Sequence, residues 1–152
     1  MTDEHHRLLA EWALQCAEHV LPLFEAHAPD DSRPRDAIVV GRAWIRGEVP
    51  MAVAHDTAFI ANAAARGLPD SPKFAALCAG QAVAVAHVAA HDLGAAAYAI
   101  RAVGASVAPG HAARARAGER QWQRDRIPAE LRDLVLEDQR TRSPICWNAF
   151  DD

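Results

Sequence analysis

The stretch FAALCAGQAVAVAHVAAHDLGAAAYAIRAV, running from Phe74 to Val103, decides how this chain folds. Small apolar residues fill it, and two imidazoles, His87 and His91, and the single tyrosine, Tyr98, are set among them. On a helix turning about 100° per residue, Gly80, Ala84, His87, His91, Gly94, Tyr98 and Arg101 fall on one stripe, while Phe74, Leu77, Cys78, Val85, Val88, Ile100 and Val103 spread over the opposing arc. A greasy arc facing a small-residue stripe predicts a segment covered on most sides, and therefore the central element of the fold. As one helix it would be about 45 Å long, which is long for a domain of this size, so a break near Asp92-Leu93-Gly94 is expected.

Working outward, Thr2 or Asp3 caps a first helix whose buried side is Leu8, Leu9, Trp12, Cys16, Val20, Leu23 and Phe24, with a kink or restart expected at Pro22. A second helix is predicted from Pro34 to the stop at Gly47, and a third from Pro50 to Gly67-Leu68-Pro69. Ser71-Pro72 reads as an N-cap and first helical position launching the central segment. Gly104 to Gly110 reads as a loop, followed by a helix over His111–Arg126 and another beginning at Pro128 that buries Leu131, Leu134 and Val135. The expectation is an all-α compact bundle of six or seven helices in one domain over residues 1–152, with no strand. The apolar tail 143–152, carrying Pro144, Ile145, Trp147 and Phe150, should dock on the body or on another subunit, and it permits a homo-dimer without requiring one.

Composition supports the helical reading: 51% of the residues are hydrophobic but only 6% aromatic, because alanine dominates. Sixteen basic and twenty acidic side chains leave a net charge of −4, too mild to argue for nucleic acid or a strongly cationic partner. Three widely spaced cysteines, Cys16, Cys78 and Cys146, read as reduced thiols in a cytoplasmic protein. The polar start Met1-Thr2-Asp3-Glu4-His5-His6 lacks a signal-peptide core, and no run reaches the ~20 apolar residues of a membrane span.

His87 and His91, four apart on a helix, could share a metal ion as the paired histidines of zinc proteases do. Val88 stands where the protease motif needs glutamate, and Asp92 points about 100° away from His91, so no third ligand is nominated. The alternative that the residues leave open is a helical metal-binding protein or metalloenzyme using His87 and His91; neither metal nor cofactor is expected. Arg114, Arg116, Arg120, Arg124 and Arg126 surround Trp122, but Glu119, Asp125 and Glu130 interrupt them and they circle the helix, which argues against a nucleic-acid face. No serine lies in a glycine-flanked elbow and no glycine loop could cradle phosphate, so catalysis is not expected.

Three blocks in this order carry a family resemblance: Arg33-Pro34-Arg35-Asp36-Ala37-Ile38 through Arg42-Ala43-Trp44-Ile45-Arg46-Gly47-Glu48; Ala84 through His87 and His91 to Tyr98 and Ala99; and Glu119-Arg120-Gln121-Trp122-Gln123-Arg124. From Trp12 to about Val135 the chain resembles bacterial immunity proteins, in the group similar to the fifth family of polymorphic-toxin immunity proteins. The resemblance implies a small helical cytoplasmic protein that binds a cognate toxin and performs no catalysis. It nominates Arg35, Asp36, Arg42, Trp44, His87, His91 and Trp122 as partner-binding or motif residues. An expectation built on the same blocks is that His87 and His91 hold the second helix through Asp36.

Overall fold

The computed structural model describes residues 1–152 and consists of helices and turns, with no strand. Seven α-helices run in chain order: α1 (Asp3–Glu25), α2 (Arg33–Ile45), α3 (Met51–Ala63), α4 (Asp70–Ala84), α5 (His91–Ala105), α6 (Ala112–Arg124) and α7 (Arg132–Arg142). The all-α expectation holds. Thr2 is the cap of α1: its hydroxyl accepts from the His5 amide at 3.1 Å. Pro22 neither breaks nor restarts that helix, because it stands in the last turn, where losing its backbone donor costs little of the ladder.

The central segment forms two helices. α4 ends at Ala84 and α5 begins at His91, so the reversal occupies Val85–Ala90, ahead of the place the sequence suggested, and Gly94 sits inside α5. No glycine or proline marks this reversal. It is held by tertiary contacts: the His6 Nε2–H donates to the Val85 carbonyl at 2.6 Å, satisfying one of the acceptors that a helix end leaves free. Folding back lets α4 and α5 bury their alanine faces against each other and against α1. Ala75, Ala76, Ala79, Ala95, Ala96, Ala97, Ala99 and Ala102 are wholly enclosed.

Small faces let helix axes approach closely, and the bulk of the core comes from elsewhere, chiefly Trp12, Leu14 and Phe24 of α1 with Ile100, Leu131 and Val135. Gly41 of α2 is one such close approach, since a Cβ there would stand 2.7 Å from Leu14 Cδ2. The Trp12 indole N–H donates to the Gln123 carbonyl at 2.9 Å and ties α1 to the end of α6.

Ser71 does not cap α4. Pro69 holds that position, and the Ser71 hydroxyl donates instead to the Ala102 carbonyl at 3.1 Å, pinning the start of α4 to the end of α5. The tail docks on the body: Cys146, Ala149 and Phe150 are buried, and Arg120 and Arg124 donate to the Ala149 and Phe150 carbonyls at 3.2 and 2.9 Å.

Candidate functional site

The up-and-down course of the chain gathers one group of side chains at one end of the bundle. There the start of α1, the end of α2, the start of α3 and the α4–α5 turn meet. The His6 ring lies 5.0 Å from the half-buried Trp44 ring, and the His55 ring of α3 lies 4.3 Å from that of His87. The His87 Nδ1 also sits 3.3 Å from Met51 Sδ. His91, the first residue of α5, pairs through Nδ1 with Gln81 Oε1 at 2.8 Å. Burial, together with any positive charge on His87 and His55, pushes the His91 imidazole below its usual pKa.

This placement changes the reading of His87 and His91. They are not four apart on one helical face, because His87 lies in the turn and only His91 is helical. No group of three or more histidine, cysteine, aspartate or glutamate side chains is arranged to hold a metal ion. Neither histidine reaches Asp36, whose carboxylate accepts from Ser32 Oγ at 2.8 Å within α2's own first turn. The expected strut between the central segment and α2 is absent because the reversal carries His87 to α3.

The arginines of α2 have architectural partners. Arg35 grips Glu25 through two hydrogen bonds of 2.8 and 2.6 Å, and Arg42 reaches both Glu11, at 3.2 Å, and Glu18, so together they clamp α2 along α1. Trp122 lies on a different face. Its ring stacks on His19 at 3.6 Å and 4°, and the Arg126 guanidinium covers it at 3.9 Å. Six of the seven nominated residues thus occupy three places, Arg35 and Arg42 the α1–α2 seam, Trp44, His87 and His91 the imidazole-lined end and Trp122 the α1–α6 face, while Asp36 stays exposed in the first turn of α2.

Beside Trp122, His19 Nδ1 stands 2.8 Å from the buried Glu119 carboxylate, which also accepts from Gln123 at 3.2 Å. Burial pushes Glu119 above the usual carboxylate range, against the opposing pull of His19. This pair can pass a proton, yet the adjoining shallow cavity is lined by Gln15, Glu18, His19, Trp122 and Arg126 and offers no hydroxyl or thiol nucleophile. The cysteines are all buried, and burial raises each thiol above its ordinary pKa, which makes them inert.

The feature that sequence reading missed is the outer side of α3. Its inner side is Ala54, Ala58 and Ala61 with Asn62 against Gly80 of α4, whereas Phe59 and Ile60 are 62% and 53% exposed, Met51 and Val53 are exposed beside them, and Val88 is exposed in the neighbouring turn. His55 meets the edge of Phe59 at 5.1 Å and joins this apolar surface to the imidazole cluster. The signal was present in the sequence: in α3 Val53, Phe59 and Ile60 fall off the stripe made by Ala54, Ala58 and Ala61.

A family model described as Imm-5 like putative immunity protein matches residues 1–130. The chain belongs to this family. The match takes in α1 to α6 and all seven nominated residues, and it leaves α7 and the tail outside. No curated protein and no solved structure matches the chain.

Proposed function

We propose that this protein is a non-enzymatic immunity protein that neutralises a cognate bacterial toxin domain in the cytoplasm by binding it, and that the contact is centred on α3 and the α4–α5 turn. The observation that carries this reading is the placement of Phe59, Ile60 and Met51 on the solvent side of a helix that packs inward through Ala54, Ala58, Ala61 and Asn62. Large apolar side chains left in solvent gain less from burial than they would in the core. Contiguous exposed apolar surface on a small protein marks an interaction site, and aromatic and methionine side chains are enriched at the centres of interfaces. His55, His87 and Trp44 supply flat rings around that centre.

A stable complex buries about 800 Å² on each partner, more than these side chains alone offer, so neighbouring parts of α2 and the turn belong to the contact as well. The test is to replace Phe59 by Asp. The variant should fold as the parent does, because the side chain is exposed, while losing its toxin and its ability to protect a bacterial host expressing that toxin. Retained protection would remove α3 from the contact, and a dimer that the variant dissociates would assign the same surface to a second copy of this chain.

A further inference from the structure

We propose that the cavity between α5, α6 and the tail binds a small oxyanion ligand, with phosphate or carboxylate groups held by Arg116 and Arg120 and flanked by Arg101 and Trp147. The cavity has a volume of about 550 Å³, within the range of small-molecule sites. Its arginines are seated with care. The Arg101 guanidinium lies between the Phe74 and Trp147 rings, 4.0 and 4.1 Å from their centroids, and has no carboxylate partner. Arg116 also forms no ion pair, and its stem crosses α5 at Gly104, where a Cβ would stand 2.7 Å from Arg116 Cγ. Glycine at that position leaves the space that Arg116 occupies.

Trp147 and Asn148 adopt left-handed backbone conformations, φ 56° and 57°, which non-glycine residues adopt at a cost. The Ser143 hydroxyl helps to hold this turn by donating to Asp151 at 2.6 Å, and the Trp147 ring is kept 4.9 Å from Tyr98. Arg120 donates to the Ala149 carbonyl at 3.2 Å and reaches the exposed Asp152 carboxylate at 3.3 Å, and Asp152 is shared with Arg124 at 2.8 Å. Two carboxylates line the cavity: Asp151, which accepts from Ser143, and Asp152, which lies between Arg120 and Arg124 and shows the ligand chemistry, an oxyanion bridging arginine forks, while Arg101 and Arg116 have no ion-pair partner. Arg101, Arg116 and Arg120 lie within the residues that the family model matches, whereas Trp147 and the tail that closes the cavity lie beyond them.

The test is calorimetric and tryptophan-fluorescence titration of the full chain with pyrophosphate and, separately, citrate, at constant ionic strength against chloride. Saturable binding of either supports the proposal, and which of the two binds assigns the group as phosphate or carboxylate. Arg116→Ala should weaken it about tenfold or more, the scale of a lost charge-assisted hydrogen bond. Asp152→Asn should strengthen it by removing the competing carboxylate. Arg114→Ala, an exposed change on α6 outside the cavity, should leave it unchanged. Absence of saturable binding by both anions, or equal weakening by Arg114→Ala and Arg116→Ala, would overturn it.

Discussion

Replacing Asp92 by Asn should make this protein more stable at neutral and alkaline pH and leave it unchanged in acid. Asp92 is 2% exposed in the first turn of α5, where burial raises its pKa from 3.8 to about 7, aided by Asp138 and opposed by Arg142 and nearby backbone amides. The unfolded chain ionises this carboxyl near pH 4, whereas the folded chain keeps the proton until about pH 7. Stability therefore falls as pH rises through that window and levels off above it, at about 1.36 kcal/mol for each pH unit crossed. Between pH 5 and pH 8 the loss from this one group is about 2 to 3 kcal/mol, a large part of the ~5–15 kcal/mol that holds a small domain together. Asparagine matches the neutral acid in shape and cannot ionise. The assay is urea unfolding of both proteins at pH 5 and pH 8, where the double difference cancels every other titrating group. A variant showing the parent's pH dependence, or one less stable than the parent at pH 8, would refute the buried-acid reasoning.

Trp12→Phe should cost about 1–3 kcal/mol in chemical denaturation, because it removes the indole donor from the Gln123 carbonyl in a wholly enclosed position. His91 is held neutral, so below about pH 6.5 the unfolded chain gains a proton that the folded one resists; stability should fall as the solution is acidified, and His91→Gln should flatten that limb of a thermal-melting series. His87→Ala should leave the melting temperature within about 2 °C, since surface changes usually stay within ±0.5 kcal/mol; a loss of several degrees would restore the structural role expected from the sequence. Phe59→Asp should likewise leave the melting curve in place while abolishing toxin capture, and a collapse in stability would place Phe59 in the core.

Much of the fold was legible. The 3.6-residue pattern of α1, the proline openings of α2 and α3 and the stops at Gly47 and Gly67, both at positive φ, correspond to elements close to where the sequence puts them. The reversal between α4 and α5 was misplaced because its determinants are not local: an imidazole from α1 takes the Val85 carbonyl, and no breaker residue announces the turn. Ser71 was misread for the same reason, its hydroxyl serving α5 rather than its own helix. The face of α6 was hidden by its arginines. Its buried positions are polar, Glu119 and Gln123 one turn apart, and pair with His19 and Trp12 of a helix some hundred positions earlier. Trp44, His87 and His91 did come to one end of the bundle, but the side chains that join them, His6, Met51 and His55, carry no sequence pattern that links them.

The most direct measurement is affinity capture with the wild-type chain and the Phe59→Asp variant as paired baits, followed by co-expression of the captured domain with each in a bacterial host. The account predicts one stoichiometric partner held by the wild type alone, toxic when expressed by itself and harmless beside the wild-type protein. A partner retained equally by both baits, or one whose toxicity the wild-type protein does not suppress, would contradict it.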